Sequence, residues 1–421
     1  MPAPAPDTDR VPSALEAPLA GVRICLVFEY SLLPSTRYRQ EIQALQQAGA
    51  SVQLLTSHSE PEELPSGLVK RTIVPRISPS RMQETIPDSK LGIGPLRALD
   101  DLARRVIRAV AYRLEDHGKA RADALERIAR EVDLFWVSDY LSLPAVMKAT
   151  RGTPVRVLYE TIDLVPEYTY HGERESRRML RDERRLIGDV DGFVTACDSY
   201  ADYYMDQYGD RELKRRPVVR SDMPAHIVDE IRATSRPLRV LFLGALMFDR
   251  PVAELIEAVR LAKADVTLTF QGPSHLGDEP ARWIENSGLT DKVRIVPPCA
   301  HDEVVETASH YDVGIVALRG ENENERRAST TKLFTYMSAG LAILGSNLPG
   351  IARVVTEHHN GLLVDGMQPA AWASAIDELA ALSDEEIDSL KQRSLDAARG
   401  YAWEIQRPAF IAEFVRALGR S

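Results

Sequence analysis

The sequence predicts an α/β protein made of two successive, Rossmann-like, doubly wound domains, and three observations support this prediction. Apolar, β-branched runs typical of strands alternate with segments of helical period, which is the pattern of parallel sheets. The alternation begins at residues 21–30 (GVRICLVFEY) and begins again at residues 238–246 (LRVLFLGAL). At 421 residues the chain is also longer than one ordinary core requires, and the usual size of a domain favours two.

The first predicted domain, residues 20–225, opens with the strand, helix and strand of a βαβ unit. Residues 21–30 are followed by the helical segment EIQALQQAGA and by the apolar run SVQLLTS. Further strand candidates are DLFWVSD, RVLYETID and GFVTACD. Each ends in polar residues, and open parallel sheets bind ligands beyond the carboxyl ends of their strands. Residues 1–19 are rich in Pro and Ala, and we expect them to form a flexible tail.

The second predicted domain, residues 236–400, repeats the alternation after a boundary near Arg236 and Pro237. Its strand candidates are LRVLFLGAL, DVTLTFQG, KVRIVPP, DVGIVAL and LAILGS, and its helix candidates include VAELIEAVRLAK and HDEVVETASHY. Residues 401–421 form an amphipathic segment that we expect to pack back on the first domain. The simplest architecture that accounts for these two runs is a pair of domains that face a cleft.

Composition excludes several classes of function. The net charge of −10 argues against nucleic acid as a partner, because phosphate backbones are held by basic surfaces. No apolar run approaches the ~20 residues of a membrane helix, so we expect no membrane span. Cys25, Cys197 and Cys299 lie far apart, which indicates neither a disulfide framework nor a metal site. A reducing cytoplasm suits such a chain best.

Residues 95–132 leave two interpretations open. Leu, Ala, Val and Ile recur with helical period among many Arg residues. One interpretation is a solvated amphipathic helix, and the other is peripheral attachment to the anionic inner face of a membrane.

The chemistry-bearing residues of the second domain cluster after its strands. Gly244 ends the first strand and precedes a loop and a helix, where backbone amides and a helix N-terminus attract anions. Arg250 lies in that loop, and its guanidinium can clamp two phosphate oxygens, although a lone loop Arg is usually just solvated.

A second group opens the helix in the stretch ASTTKLFTYMSAG. Ser329, Thr330 and Thr331 can act as N-cap or first-turn donors to an anion, and Lys332 follows them. Read alone, this stretch is better explained as a capped helix with an exposed Lys. The polar loop RGENENERR precedes it, and binding residues concentrate in loops of this kind.

In order and spacing, residues 238–366 resemble the family 4 glycosyltransferases of the GT-B fold. The resemblance is carried by RVLFLGALMFDRPVAELIEAV, VTLTFQG, VRIVPPCAHDEVVETASHYDVGIVAL, STTKLFTYMSAGLAILGSNLPGIARVV and NGLLV. The first half is more weakly similar, through GVRICLV, VLYETIDLVPE and VDGFVTACDSYA. This resemblance implies two Rossmann-like domains, of which the second binds a nucleotide-diphosphate sugar.

The resemblance also assigns roles to individual residues. Gly244 would lie at the phosphate loop, Arg250 would bind the diphosphate, and Lys332 would lie near it. The remaining donor-binding positions would meet the diphosphate, the base or the ribose; they are Gln271, Gly272, Pro298, Ser329, Thr330, Thr331 and Thr335.

The chain departs from the family at its carboxylates. The two glutamates that family members commonly carry, near the donor sugar and on the ribose, fall on Arg327 and Thr335, and the cleft His falls on Ile162. Glutamates of the preceding loop are candidate replacements; they are Glu321, Glu323 and Glu325.

The leading functional hypothesis is a retaining glycosyltransferase that moves a sugar from a nucleotide diphosphate to a hydroxyl or amine acceptor. Cations and amides stabilise the leaving diphosphate, so neither a metal nor another cofactor is expected. Asp163 is a candidate for binding the acceptor or the sugar hydroxyls, and a structural role in the cleft wall is the alternative. The alternative functions are a catalytically silent GT-B scaffold and, last, a nucleotide-sugar epimerase.

Overall fold

The computed structural model describes residues 17–28, 36–56, 68, 70–73, 119–168, 172–209 and 212–420. The chain divides into two compact units. The first comprises Met1–Glu160, Arg185–Phe193 and Ile411–Ser421, and the second comprises Thr161–Arg184 and Val194–Phe410. Most of the expected tail and residues 95–118 of the Arg-rich segment lie outside the described residues.

One sheet has seven strands in the order β3-β2-β1-β4-β5-β6-β7. The strands are β1 (Arg23–Val27), β2 (Ser51–Thr56), β3 (Lys70–Ile73), β4 (Leu134–Val137), β5 (Arg156–Thr161), β6 (Gly192–Thr195) and β7 (Val218–Val219). The pairings of β1 with β2 and β4, of β2 with β3 and of β4 with β5 are parallel. Strand order therefore reverses beside β1, as the sequence predicts for a doubly wound sheet.

The helices that accompany this sheet in the chain are α1 (Thr36–Gln47), α2 (Lys119–Ile128), α3 (Leu143–Ala149), α4 (Glu173–Ile187) and α5 (Asp198–Tyr208). In the first unit, the fully buried Trp136 of β4 packs edge-on against Phe414, with ring centroids 5.6 Å apart. The carboxylate of Glu413 accepts a hydrogen bond of 2.8 Å from the Phe193 amide. The end of the chain thus contributes to the core of the first unit.

The second sheet has six strands in the order β10-β9-β8-β11-β12-β13. The strands are β8 (Leu238–Leu243), β9 (Val266–Gln271), β10 (Val293–Val296), β11 (Val313–Val316), β12 (Ala342–Ser346) and β13 (Gly361–Val364), all in parallel pairings. The restart of the strand pattern that the sequence shows at Leu238 is therefore confirmed as a second parallel sheet.

Two hydrophobic cores cover the two faces of this sheet. The helices that follow β7 in the chain are α6 (Val252–Leu261), α7 (Glu279–Asn286), α8 (Val304–Ala308), α9 (Glu323–Arg327), α10 (Thr331–Ser338), α11 (Pro349–His358), α12 (Pro369–Ala381), α13 (Asp384–Gly400) and α14 (Trp403–Ala417), of which α14 ends in the first unit. Phe242 and Phe270 belong to one core, whereas Leu243 belongs to the other, together with Tyr336. Successive strand residues thus point to opposite faces, and all six strands end at one edge, where the loops begin. Within the described chain, no helix is long and apolar enough to cross a membrane.

Candidate functional site

The ends of β8 and β9 meet at two glycines. The amide of Gly244 donates a hydrogen bond of 2.9 Å to the carbonyl of Gln271. A Cβ atom on Gly272 would lie 2.2 Å from the carbonyl oxygen of Gly244, and Gly272 has a φ of +154°. Only glycine permits so close an approach in this conformation. The ends of β8 and β9 are therefore in direct backbone contact, which requires glycine at position 272.

Lys332, in the first turn of α10, reaches this edge. Its Nζ atom lies 3.5 Å from the position that a Cβ on Gly244 would occupy, and 4.4 Å from the centroid of the Phe242 ring. Burial, reinforced by the positive charge of Arg250 and opposed by Asp249, lowers the pKa of Lys332 to about 7. Two cations share one site, and an anion bound there would stabilise both.

Arg250 is positioned by its own loop. Its amide donates to the carbonyl of Met247 at 3.0 Å, and its Nε atom lies 3.8 Å from a carboxylate oxygen of Asp249. At 3.8 Å this ion pair is loose, so the guanidinium keeps donors for a ligand.

A third cation, Arg319, braces the same loop from the carboxyl end of β11. Its Nε atom donates to the carbonyl of Asp249 at 3.1 Å, and its Nη2 atom donates to Glu254 at 2.8 Å. Sequence analysis missed this residue. The signal was available, because Arg319 directly follows the strand candidate DVGIVAL, at the edge where the ligand was expected.

The hydroxyls that open α10 have different partners. Ser329 donates to the carbonyl of Gly350 at 2.8 Å, and Thr331 donates to the Asp222 carboxylate at 2.6 Å. The buried Oγ1 atom of Thr330 has no hydrogen-bond partner in the described part of the chain. Ser329 and Thr331 therefore fix the start of the helix.

The positions of the two absent glutamates are occupied by Arg327 and Thr335. Thr335 is buried, and its hydroxyl donates to the carbonyl of Thr331 at 3.0 Å. Arg327 donates to Glu323 at 2.8 Å and lies 5.2 Å above the ring of Tyr203. Its guanidinium is thus held by protein groups, while the Thr335 oxygen still has lone pairs that can accept.

Two of the three candidate glutamates in the preceding loop are already bound by other groups of the protein. Glu325 accepts from the amides of Gly320 at 3.1 Å and Glu321 at 3.3 Å, which closes the loop on itself. Glu323 forms ion pairs with Arg326 and Arg327. Glu321 is exposed, and it is the one candidate of the three with no side-chain contact in the described structure.

The residues expected to frame a base lie at the ends of β9 and β10. Gln271 is buried, and its Oε1 atom has no hydrogen-bond partner among the described residues. Gly272 donates from its amide to Val296 at 3.2 Å, and Pro298 follows that strand in an exposed position. The structure therefore brings these three residues to neighbouring strand ends.

Asp163 is held by Asn324, a residue that sequence analysis missed. The Asn324 amide nitrogen lies 3.3 Å from an Asp163 carboxylate oxygen, and its Oδ1 atom accepts from the Leu164 amide at 2.7 Å and from the Tyr200 hydroxyl at 2.6 Å. Burial raises the pKa of the Asp163 carboxyl. Asn324 thus ties the segment after β5 to α9, and the neighbouring Ile162 side chain is exposed.

The first unit contains a buried polar cluster that sequence analysis also missed. Glu160, at the end of β5, is fully buried and accepts from Arg37 Nε at 3.0 Å and from Trp136 Nε1 at 2.7 Å. Charge-assisted bonds of this kind compensate the desolvation of the carboxylate. Glu160 therefore anchors α1 to the sheet.

Comparisons with known proteins identify relatives of the second domain. Residues 237–381 match the family model described as Glycosyl transferases group 1. The D-inositol 3-phosphate glycosyltransferase of Corynebacterium urealyticum is 27% identical over 256 residues, which cover 56% of this chain and 58% of that relative. The corresponding protein of Paenarthrobacter aurescens is 24% identical over 264 residues, covering 58% and 62%. The matches thus span about three fifths of the relatives' length.

Solved structures show the fold over nearly the whole chain. A sucrose-phosphate synthase from Thermosynechococcus elongatus superimposes with a TM-score of 0.66 at 16% identity, covering 94% of this chain and 99% of that one. The Anabaena protein HepE in complex with UDP and glucose superimposes with a TM-score of 0.64 at 12% identity, with the same coverage. The predicted GT-B fold is confirmed.

Proposed function

We propose that this chain, whose residues 237–381 match the family model of the group 1 glycosyl transferases, transfers a sugar from a nucleotide diphosphate to a hydroxyl or amine acceptor. The observation that carries the proposal is the position of Lys332 beside Gly244, where the positive charge of Arg250 helps to lower the pKa of the ammonium group. The negative charge of a bound diphosphate would compensate the positive charges of these two cations. The complex of HepE with UDP is consistent with such a donor.

In the proposed reaction, the protein itself forms no covalent bond with the sugar. The bond between the anomeric carbon and a diphosphate oxygen breaks, the acceptor oxygen or nitrogen bonds to that carbon, and the acceptor proton passes to the leaving diphosphate. We propose retention, with the acceptor on the same face as the leaving group. Arg250, Lys332 and the start of α10 would stabilise the developing charge, so the proposal requires no metal ion.

Donor binding by the second sheet extends to the base and the ribose in this proposal. The unpartnered Oε1 atom of Gln271 supports a contact with a base N–H group, because a buried acceptor is costly to leave unpaired. The Thr335 hydroxyl would accept from the ribose. Asp163, which Asn324 orients, would bind a hydroxyl of the acceptor or of the sugar.

Calorimetric titration with UDP, GDP, ADP and TDP tests the proposal. We expect one diphosphate to bind, and we expect Arg250→Ala and Lys332→Ala each to weaken it by about 10- to 100-fold, since each removes a charge-assisted hydrogen bond. The exposed Arg282→Ala and Lys263→Ala variants serve as matched controls. If none of the four nucleotides binds, the proposal is contradicted. An equal loss of affinity in the control variants also contradicts it.

The second candidate is a catalytically silent scaffold, and the replacement of both expected glutamates by Arg327 and Thr335 favours it. Slow hydrolysis of the matching nucleotide sugar distinguishes the candidates. An active transferase releases the nucleotide diphosphate over hours, and Lys332→Ala abolishes the release. A silent scaffold binds the nucleotide and releases nothing.

We also propose a cytoplasmic location. Cys197 is a buried free thiol and Cys299 is a free, half-buried one, which suits a reducing compartment. Contact of residues 95–132 with an anionic membrane stays a prediction, because most of that segment lies outside the described residues.

A further inference from the structure

The loop that joins β8 to α6, residues 245–251, is anchored to the sheet at its start. Leu246 is buried, and its amide donates to the carbonyl of Pro273 at 2.9 Å. Residues 247–249 are exposed. In the described part of the chain, Arg319 is the only group outside the loop that forms a hydrogen bond with these three residues. The position of the exposed part of the loop therefore depends on Arg319.

Arg319 holds the chain at two points. Its Nε atom donates to the carbonyl of Asp249 at 3.1 Å, and its Nη2 atom donates to the Glu254 carboxylate at 2.8 Å. Glu254 lies in the first turn of α6. Arg250 lies between these two points in the chain, so a single guanidinium group with a fixed geometry holds the chain on both sides of it.

The backbone next to Arg319 is itself fixed to the sheet. The buried hydroxyl of Ser346, the last residue of β12, accepts from the Leu318 amide at 2.9 Å and donates to the Leu318 carbonyl at 2.9 Å. The side chains of Arg319 and Glu254 are 25% and 26% exposed. Partial burial makes such an ion pair stronger than one in full solvent. Arg319 therefore connects the loop to a rigid edge of the sheet.

The loop also supplies the charges that act on Lys332. Burial is the largest cause of the lowered pKa of Lys332, Arg250 lowers it further, and Asp249 opposes the change. No other charged side chain lies in α10, and the neighbours of the ammonium group at the end of β8, the Phe242 ring and Gly244, are uncharged. The position of the loop therefore determines the electrostatic environment of Lys332.

We propose that Arg319 is a positioning residue for the donor diphosphate, because it holds the loop so that Arg250 and Lys332 face the same anion. This inference rests on the proposed function and adds to it a residue that acts through the loop. Two cations bind one anion tightly when both are held in place before the ligand arrives, since the cost of ordering them is then already met.

The test measures the charge of Lys332 directly, in the whole chain without a ligand. Lysine side chains are labelled with carbon-13 at Cε, and NMR titration from about pH 5 to about pH 10 follows their protonation. Lys332→Arg identifies the signal of Lys332. The test variant Arg319→Met removes both hydrogen bonds and keeps the length of the side chain. The matched control Arg260→Met removes an exposed ion pair with Glu257 within the same helix α6.

We expect the two variants to differ in two measurements. In Arg319→Met, the released loop carries its charges away from Lys332 and admits water, so the pKa should rise from about 7 to about 8 or higher. In Arg260→Met, the pKa should not change. The affinity for the diphosphate, from calorimetric titration at about pH 7, should fall about 10-fold in Arg319→Met and less than about twofold in the control.

An unchanged pKa of Lys332 in Arg319→Met overturns the proposal, even where the affinity falls, because Arg319 would then contact the diphosphate itself. An equal change in Arg260→Met, or a raised pKa with unchanged affinity, also overturns it. If no nucleotide binds to the wild type, the proposed function fails, whereas the titration without a ligand still decides whether Arg319 controls the loop.

Thermal unfolding monitors the fold of each variant. If Arg319→Met is unstable, Glu254→Gln replaces it, because the neutral amide weakens the ion pair and keeps the shape of the side chain. The pKa of Lys332 should then rise in the same direction by a smaller amount, and an unchanged pKa overturns the proposal here as well.

Discussion

The ammonium group of Lys332 lies 3.5 Å from the position that a Cβ atom on Gly244 would occupy. Lys332 lies in the first turn of helix α10 and Gly244 directly follows strand β8, so the contact joins the two segments that the sequence singles out for binding an anion. Because the pKa of Lys332 is lowered to about 7, its charge depends on what else occupies this site.

The first prediction concerns pH. Lys332 with a pKa of about 7 loses its charge in the free protein as the pH rises above that value, while a bound diphosphate favours the charged form and raises the pKa. The affinity for the diphosphate should therefore fall from about pH 7 to about pH 9. Calorimetric titration across this range measures the fall.

Lys332→Arg is the control for the pH dependence. Arginine remains charged over this range, so the variant should lose most of the dependence while still binding. An identical fall in the wild type and in this variant would show that another group titrates.

The second prediction concerns the close approach of β8 and β9. In Gly272→Ala, the added Cβ would meet the Gly244 carbonyl oxygen at 2.2 Å, so the free energy of unfolding should fall by about 3 kcal/mol. In the control Gly277→Ala, φ is +57° and no atom lies within 4 Å, so only the conformational cost of about 1 kcal/mol should appear. Urea unfolding measures both, and equal losses would contradict the prediction.

The third prediction concerns Asn324. Asn324→Ala removes the side-chain bonds to the Leu164 amide and the Tyr200 hydroxyl. It leaves the Leu164 amide unpaired in the interior, whereas the Tyr200 hydroxyl keeps its 3.2 Å bond to the backbone carbonyl of residue 324. We expect a loss of about 2–4 kcal/mol in the free energy of unfolding. Asn322→Ala removes only the N-cap bond to the Glu325 amide and should cost about 1 kcal/mol. If the two variants lose the same free energy in chemical unfolding, Asn324 has no anchoring role.

The fourth prediction concerns Thr335. Its hydroxyl donates to the Thr331 carbonyl and retains lone pairs for a ribose hydroxyl. Thr335→Val keeps the shape, so the diphosphate affinity should fall by about 3- to 10-fold with little change in stability. Titration of the variant with the nucleotide and with its deoxyribose analogue checks this. If the variant binds the nucleotide as tightly as the wild type, the hydroxyl does not contact the ribose.

The sequence determined the order of strands and helices and the position of the expected ligand site. Apolar runs such as LRVLFLGAL and DVGIVAL became parallel strands, because burial on both faces leaves a continuous apolar signal. Gly244, Gln271 and Gly272 could be placed at strand ends for the same reason, since that pattern also shows where each strand stops.

The tertiary structure alone decided which side chains meet. Nothing near Asn324 in the chain indicates that it binds Asp163, Leu164 and Tyr200. The sequence places Arg319 at the end of a strand candidate, but it does not show that Arg319 contacts the loop of Arg250, because both sets of contacts depend on distant segments brought together by packing. The charge state of Lys332 also depends on the tertiary structure. A pKa follows from burial and from neighbouring charges, and the sequence specifies residue types without specifying their distances.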